Sequence, residues 1–168
     1  MDWSEVDEKM ARMILRQGEI YLQGTLTVST AADQHAATLA GIFSAAAIAV
    51  LAATLVMIQS PHPDTALVVS GFTVAFTWFI GSSLCVAVVW PSKFHLAGNE
   101  PKNWWPENVA LGSLVEAIGG ETENYQERIE YNTAAIRKSA KRLKLGAAMG
   151  CAAPIAGFGI WLISRYFI

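Results

Sequence analysis

The chain alternates between charge-free apolar runs and polar, charge-bearing segments. Residues 36–58, 66–90 and 145–163 contain no Asp, Glu, Lys or Arg. They are 23, 25 and 19 residues long. A bilayer core of about 30 Å needs about 20 helical residues, so each run is long enough to span it. The pattern predicts an all-α integral membrane protein with three transmembrane helices, a cytosolic N-terminal helix and a helical cytosolic block between spans 2 and 3.

The segments between the runs read as follows. Residues 1–35 form an N-terminal helix. Val6, Met10, Met13, Gln17, Ile20 and Tyr21 recur at helical spacing and mark its apolar face, with Glu5, Glu8, Lys9, Arg12, Arg16 and Glu19 elsewhere. No proline interrupts residues 2–60, so this helix can continue into span 1; Gly18 and Gly24 are its weak points. Ser60-Pro61-His62-Pro63-Asp64 is a tight turn, and Asp64 or Thr65 can cap span 2. Spans 1 and 2 then form a hairpin over 36–90. Residues 91–144 make the second polar block. It begins irregularly, with a short helix over 108–118, and a clearer helix follows over 122–144. Tyr125, Ile129, Asn132, Ile136 and Leu143 mark one face of that helix, which leads into span 3 and the tail, 145–168.

Composition agrees: 53% of the residues are hydrophobic and only 15% charged, below a soluble domain of this size. Charge placement adds direction. Of 12 Lys and Arg, all but Arg165 lie before span 1 or between spans 2 and 3. The positive-inside rule then puts the N-terminus and 91–144 in the cytoplasm and the C-terminus outside. The N-terminus is acidic and lacks the basic start of a secretory signal. Cys85 and Cys151 lie inside spans and read as small apolar residues. No Cys/His metal spacing, nucleophile–base pair or Gly-rich phosphate loop is present, so neither an enzyme, a metal site nor a cofactor is expected.

Several constellations carry candidate chemistry. Ser70, Thr73, Thr77 and Gly81 share one face of span 2, opposite Phe72, Phe76 and Phe79. They can line a water path in an oligomer or pack against another helix. Span 3 holds a Gly-xxx-Gly pattern, Gly146 to Gly150, then Pro154, which frees a backbone carbonyl and can kink the helix. Asp33 and His35 stand just before span 1, as solvated edge residues or as gate residues paired with a cation of the 137–144 cluster. That cluster, with Arg137, Lys138, Lys141, Arg142 and Lys144, suits an anionic-lipid anchor or a phosphate-bearing ligand. Arg128 has no acid three or four residues away, which singles it out for a specific contact. Trp104-Trp105 can stack on a base or anchor at the headgroups. The candidate ligand set is Arg128, Arg137, Lys141 and Trp104; the candidate gating set is Asp33, His35 and Pro154.

Two stretches carry a family likeness: Ala32-Asp33-Gln34-His35-Ala36-Ala37 ahead of span 1, and Tyr131-Asn132-Thr133-Ala134-Ala135-Ile136-Arg137-Lys138 ahead of span 3. With the three-span layout, they resemble the small transmembrane effectors of bacterial anti-phage nucleotide-signalling systems, chiefly the Pycsar transmembrane effectors. The two-transmembrane SLATT effectors are a more distant likeness. The resemblance implies a homo-oligomer in the bacterial inner membrane. It would respond to a cyclic nucleotide or oligonucleotide from a partner enzyme by disrupting the lipid bilayer. The same layout also permits a non-conducting scaffold that recruits a cytosolic partner through 91–144.

Overall fold

The computed structural model describes residues 3, 5–90, 93–98 and 113–167. Three helices account for nearly all of them: α1 (Glu8–Ile58), α2 (Thr65–Val89) and α3 (Leu114–Phe167). No strand occurs among the described residues. Each helix contains a stretch long and apolar enough to cross a membrane. α2, with 25 residues, is little longer than a crossing needs; α1 and α3, with 51 and 54, have about twice that length.

The helix ends follow from local chemistry. α1 stops at Ile58, where the Gln59 and Ser60 N–H groups turn back to the carbonyls of Val56 and Met57 ahead of Pro61. Asp64 caps α2: its Oδ1 accepts from the N–H groups of Ala66 and Leu67 at 3.0 and 3.2 Å. α3 starts at a reciprocal capping box. The Ser113 N–H donates to Glu116 Oε2 at 2.8 Å, and the Glu116 N–H donates to Ser113 Oγ at 3.2 Å. This corrects the expected break between helices at 108–118 and 122–144. Residues 114–118 belong to α3, which runs through Gly119 and Gly120 without interruption; residues 108–112 lie outside the described residues.

The chain divides into two compact units, and both α1 and α3 contribute to each. The polar unit comprises Met1–Ala31 and Ser92–Arg137. Its core holds Trp3, Ala11 and Ile118, flanked by Val6, Ile14, Leu15 and Val115. The Trp3 ring occupies the space that a side chain at Gly119 would fill. Its indole N–H donates to Glu123 Oε1 at 3.0 Å, which holds that carboxyl below its ordinary range. Leu22 and Thr25 are buried farther along α1. The buried face of α1 in this unit is therefore Ala11, Leu22 and Thr25, with the half-buried Ile14, Leu15 and Gly18 beside them. The apolar face expected from the sequence is displaced from it: Met10 (53%), Met13 (56%), Ile20 (53%) and Tyr21 (57%) are exposed. Ala11 and Gly18 let neighbours come close on the inner face: a Cβ at Gly18 would stand 3.3 Å from the Tyr125 ring.

The apolar unit comprises Ala32–Pro91 and Lys138–Ile168. Its core is Ala36, Ala40, Phe43, Cys85 and Val88, with Leu39, Trp78 and Leu143 against it. Large apolar side chains also cover its outside, among them Val56, Phe76, Ile155 and Phe158. Water penalises such a surface, whereas lipid does not. The chain is accordingly a multi-pass membrane protein with three spanning helices.

Candidate functional site

In the polar unit, one face of α3 grips a short non-helical segment, residues 93–98. Tyr125, Arg128 and Asn132 lie at spacings of three and four, so their side chains leave the helix on one side. Asn132, fully buried, makes a two-way contact with the backbone of His95. Its Oδ1 accepts the His95 N–H at 3.0 Å, and its Nδ2 donates to the His95 carbonyl at 2.9 Å. Nδ2 also lies 3.5 Å from Thr25 Oγ1 on α1. The threonine hydroxyl itself donates to the Leu22 carbonyl at 2.7 Å. The amide thus acts as one rung of a β-ladder, answering backbone groups that no secondary structure answers.

Gly98 is held at both of its polar groups. Its N–H donates to Tyr125 Oη at 2.9 Å, and its carbonyl accepts from Arg128 Nη1 at 2.8 Å. Its φ of +94° is the left-handed region, open to glycine at little cost. Tyr125 Oη in turn lies 3.5 Å from Glu19 Oε1 on α1. Burial pushes the Tyr125 phenol above its ordinary value; Glu19 and Glu121 add to the rise, and the Gly98 N–H and Arg128 oppose it. The Arg128 guanidinium also stands 5.4 Å from the centre of the Tyr125 ring and 3.8 Å from Glu121 Oε1. The acid missing at three or four residues from Arg128 is supplied at seven, two turns back. Its specific contact is internal: the segment 93–98.

The other candidates fall as follows. Arg137 and Lys141 are exposed. Arg142, half-buried, leaves the cation cluster to donate to the Ala87 carbonyl at 3.0 Å, one of the carbonyls that the end of α2 leaves without an intrahelical donor. Trp104 lies outside the described residues. Asp33 is half-buried and His35 exposed. Among the described residues, neither forms an ion pair with the cations of 138–144.

The stripe on α2 divides. Ser70 donates to the Gly157 carbonyl of α3 at 2.7 Å. Gly81 abuts Gly146, where an added Cβ would stand 3.0 Å from the Gly146 carbonyl oxygen. These two make helix–helix contacts within the chain. Thr73 and Thr77 donate to carbonyls of their own helix, those of Val69 and Thr73. The phenylalanines expected opposite the stripe, Phe72, Phe76 and Phe79, are exposed.

Pro154 removes the donor that would serve the carbonyl four residues earlier, that of Gly150. The Trp78 indole N–H donates to that oxygen at 2.9 Å. Gly150 itself receives the Phe43 ring from α1. The proline and its glycine therefore form a polar joint between α2 and α3 inside the apolar unit. This pairing was detectable in the sequence only as a proline four residues after a glycine, with no hint of the tryptophan that answers it.

No family profile, curated protein or solved structure matches the chain.

Proposed function

We propose that the chain is a non-enzymatic membrane effector of a bacterial anti-phage nucleotide-signalling system, homo-oligomeric in the inner membrane. A nucleotide-type signal received in the cytoplasm leads it to permeabilise the bilayer. The N-terminus and residues 91–144 face the cytoplasm, and the C-terminus the periplasm, by the bias of Lys and Arg placement.

One observation supports this reading most: two of the three spanning helices, α1 and α3, also build the polar unit. A change in packing there acts on the same two helices that continue into the membrane. The resemblance in layout to the phage-defence effectors supplies the class of signal. Arg128 is engaged with Gly98, so within the candidate ligand set Arg137 and Lys141 are the described cations left to meet a phosphate. Within the stripe of α2, Thr73 and Thr77 are the hydroxyl residues that bond only to their own helix, which suits a water path between copies.

The test is dye leakage from liposomes carrying the purified protein, across a panel of cyclic mononucleotides and cyclic oligonucleotides. One member should trigger leakage, and Thr73→Leu with Thr77→Leu should reduce it without preventing assembly. Silence across the panel sinks the pore reading. Toxicity that persists when the spans are exchanged for an unrelated anchor would instead identify a scaffold.

A further inference from the structure

We infer that the exposed apolar stripe of α1 in the polar unit is the docking face for a second copy of this chain, paired in parallel. Met10, Met13, Gln17, Ile20 and Gly24 follow one another at alternating spacings of three and four residues, and Tyr21 and Val28 flank them. All seven are exposed. Alternating threes and fours are the spacing of a heptad seam, along which two helices wind about each other. The stripe lies about 120° around α1 from the face that Ala11, Leu22 and Thr25 bury, so one helix serves both contacts.

Charge and glycine placement point the same way. Glu8, Lys9, Arg12, Arg16 and Glu19 all lie off the stripe, and Arg12 pairs with Glu8 at 2.7 Å. That polar face is mixed in sign, unlike the basic face with which an interfacial helix meets anionic lipid. A glycine inside a helix is unfavourable relative to alanine. Gly18 has a reason, because a Cβ there would meet the Tyr125 ring at 3.3 Å; Gly24 has nothing within 4 Å. A second backbone crossing closely at the seam gives Gly24 its reason.

The occupant follows from these features. From Met10 to Val28 the stripe runs about 27 Å. Two such faces together bury on the order of 1,000 Å², the lower bound of a specific interface. Copies inserted in one membrane share a direction, so their α1 helices run parallel and the seam meets itself in register. The inference rests on the homo-oligomeric part of the proposed function, and on neither the nucleotide nor the leakage.

The experiment is cysteine cross-linking of the full chain in native membranes, without any nucleotide. Cys151→Ala removes the exposed thiol, and the fully buried Cys85 stays. In that background Met13→Cys and Ile20→Cys, on the seam, are compared with Arg12→Cys, exposed on the polar face. After copper–phenanthroline oxidation, both seam variants should give disulfide-linked dimer more than about fivefold above Arg12→Cys. Ile20→Lys added to Met13→Cys should abolish most of that dimer while helix content is unchanged. Equal yields at all three positions, or no dimer at the seam, overturn the inference. In the second case maleimide labelling separates a face covered by lipid, which is protected, from a bare one. Dimer without leakage under any nucleotide would leave this interface standing and the proposed function fallen; leakage without dimer would do the reverse.

Discussion

Gly150 and Asn132 lie eighteen residues apart on α3 and hold their neighbours by opposite means. Gly150 offers absence: without a side chain it accommodates the Phe43 ring, and its carbonyl serves Trp78. Asn132 offers presence: a buried amide that completes the hydrogen bonds of His95. The rest of each unit follows suit. In the apolar unit Gly71, Gly81, Gly146 and Gly157 each touch a neighbouring helix. Its polar contacts mostly run from one side chain to a backbone oxygen, as from Ser70 to Gly157 and from Ser82 to Ala40. In the polar unit, long side chains reach across to the non-helical segment 93–98. The difference is one of solvent. In lipid, apolar burial gives helices no reason to associate, so close approach and backbone acceptors must do it. In water an apolar core already gathers the helices, and buried polar groups fix which segment sits where.

The strongest way to break this comparison is to fill the space that the apolar unit keeps empty. At Gly146 a Cβ would stand 2.8 Å from Cys85 Sγ and 2.9 Å from the Gly81 carbonyl oxygen, and a backbone oxygen cannot rotate away. Gly146→Leu should cost about 3 kcal/mol or more. It would be read as a lower midpoint in SDS-titrated unfolding from detergent micelles, with the polar unit's hydrogen exchange unchanged. A loss below about 0.5 kcal/mol would mean that close approach is not what holds these helices.

Next comes the amide. Asn132→Ala removes both bonds to His95 and leaves a backbone donor and acceptor without partners, at a cost of about 2 kcal/mol. Amide exchange should rise at His95 and Gly98 and along α3 near residue 132, while SDS unfolding of the spans holds. Unchanged exchange at His95 would show that the segment is held by something other than this amide.

The contrast also explains what was legible in the chain. The end of α1 and both ends of α2 fall within a residue of the limits that the charge-free runs set, and the Asp64 cap was signalled by the turn residues before it. Those signals are local. The joining of residues 1–31 to 92–137 in one unit is not local, and the sequence carries it only as small residues on α1 that match nothing nearby. The same blindness misplaced the apolar face of α1. Hydropathy ranks Met10 and Met13 above Ala11 and Gly18, yet both methionines are exposed while Ala11 is buried on the inner face with Leu22. The start of α3 has a local signal, the capping-box spacing of Ser113 and Glu116. Arg128 stood out because it lacked an acid at one helical turn. Its true partners are a carbonyl on a loop and Glu121 two turns away, which no nearest-turn rule reaches.

A smaller effect sharpens the role of Pro154. Trp78→Phe puts a smaller aromatic ring in place of the indole and leaves the Gly150 carbonyl without its side-chain donor, at about 1 kcal/mol for the lost hydrogen bond. Pro154→Ala restores a backbone N–H four residues on from Gly150 and so removes the need for Trp78. In a double-mutant cycle read by SDS unfolding, Trp78→Phe should therefore cost much less in the Pro154→Ala background. Additive losses would detach Trp78 from the proline and return it to simple packing.

The smallest expected effect lies at Tyr125, where the polar unit combines burial with hydrogen bonding. Tyr125→Phe preserves the ring against Gly18 and loses the acceptor for the Gly98 N–H, which water can partly replace; the cost is about 0.5–1 kcal/mol. Its pH dependence is more telling than its size. Burial raises the phenol, with Glu19 and Glu121 adding to the rise and Arg128 opposing it. The folded chain therefore holds this proton more tightly than the unfolded chain does. Stability from Tyr125 is complete below an ordinary tyrosine value of about 10 and is lost as pH rises through the higher folded-state value. Urea unfolding of the polar unit at pH 8 and at about pH 11 should show a steeper alkaline loss in the parent chain than in Tyr125→Phe. Identical losses would place the alkaline sensitivity on another group and leave Tyr125 as a ring that fills space beside Gly18, held by the same principle as the apolar unit.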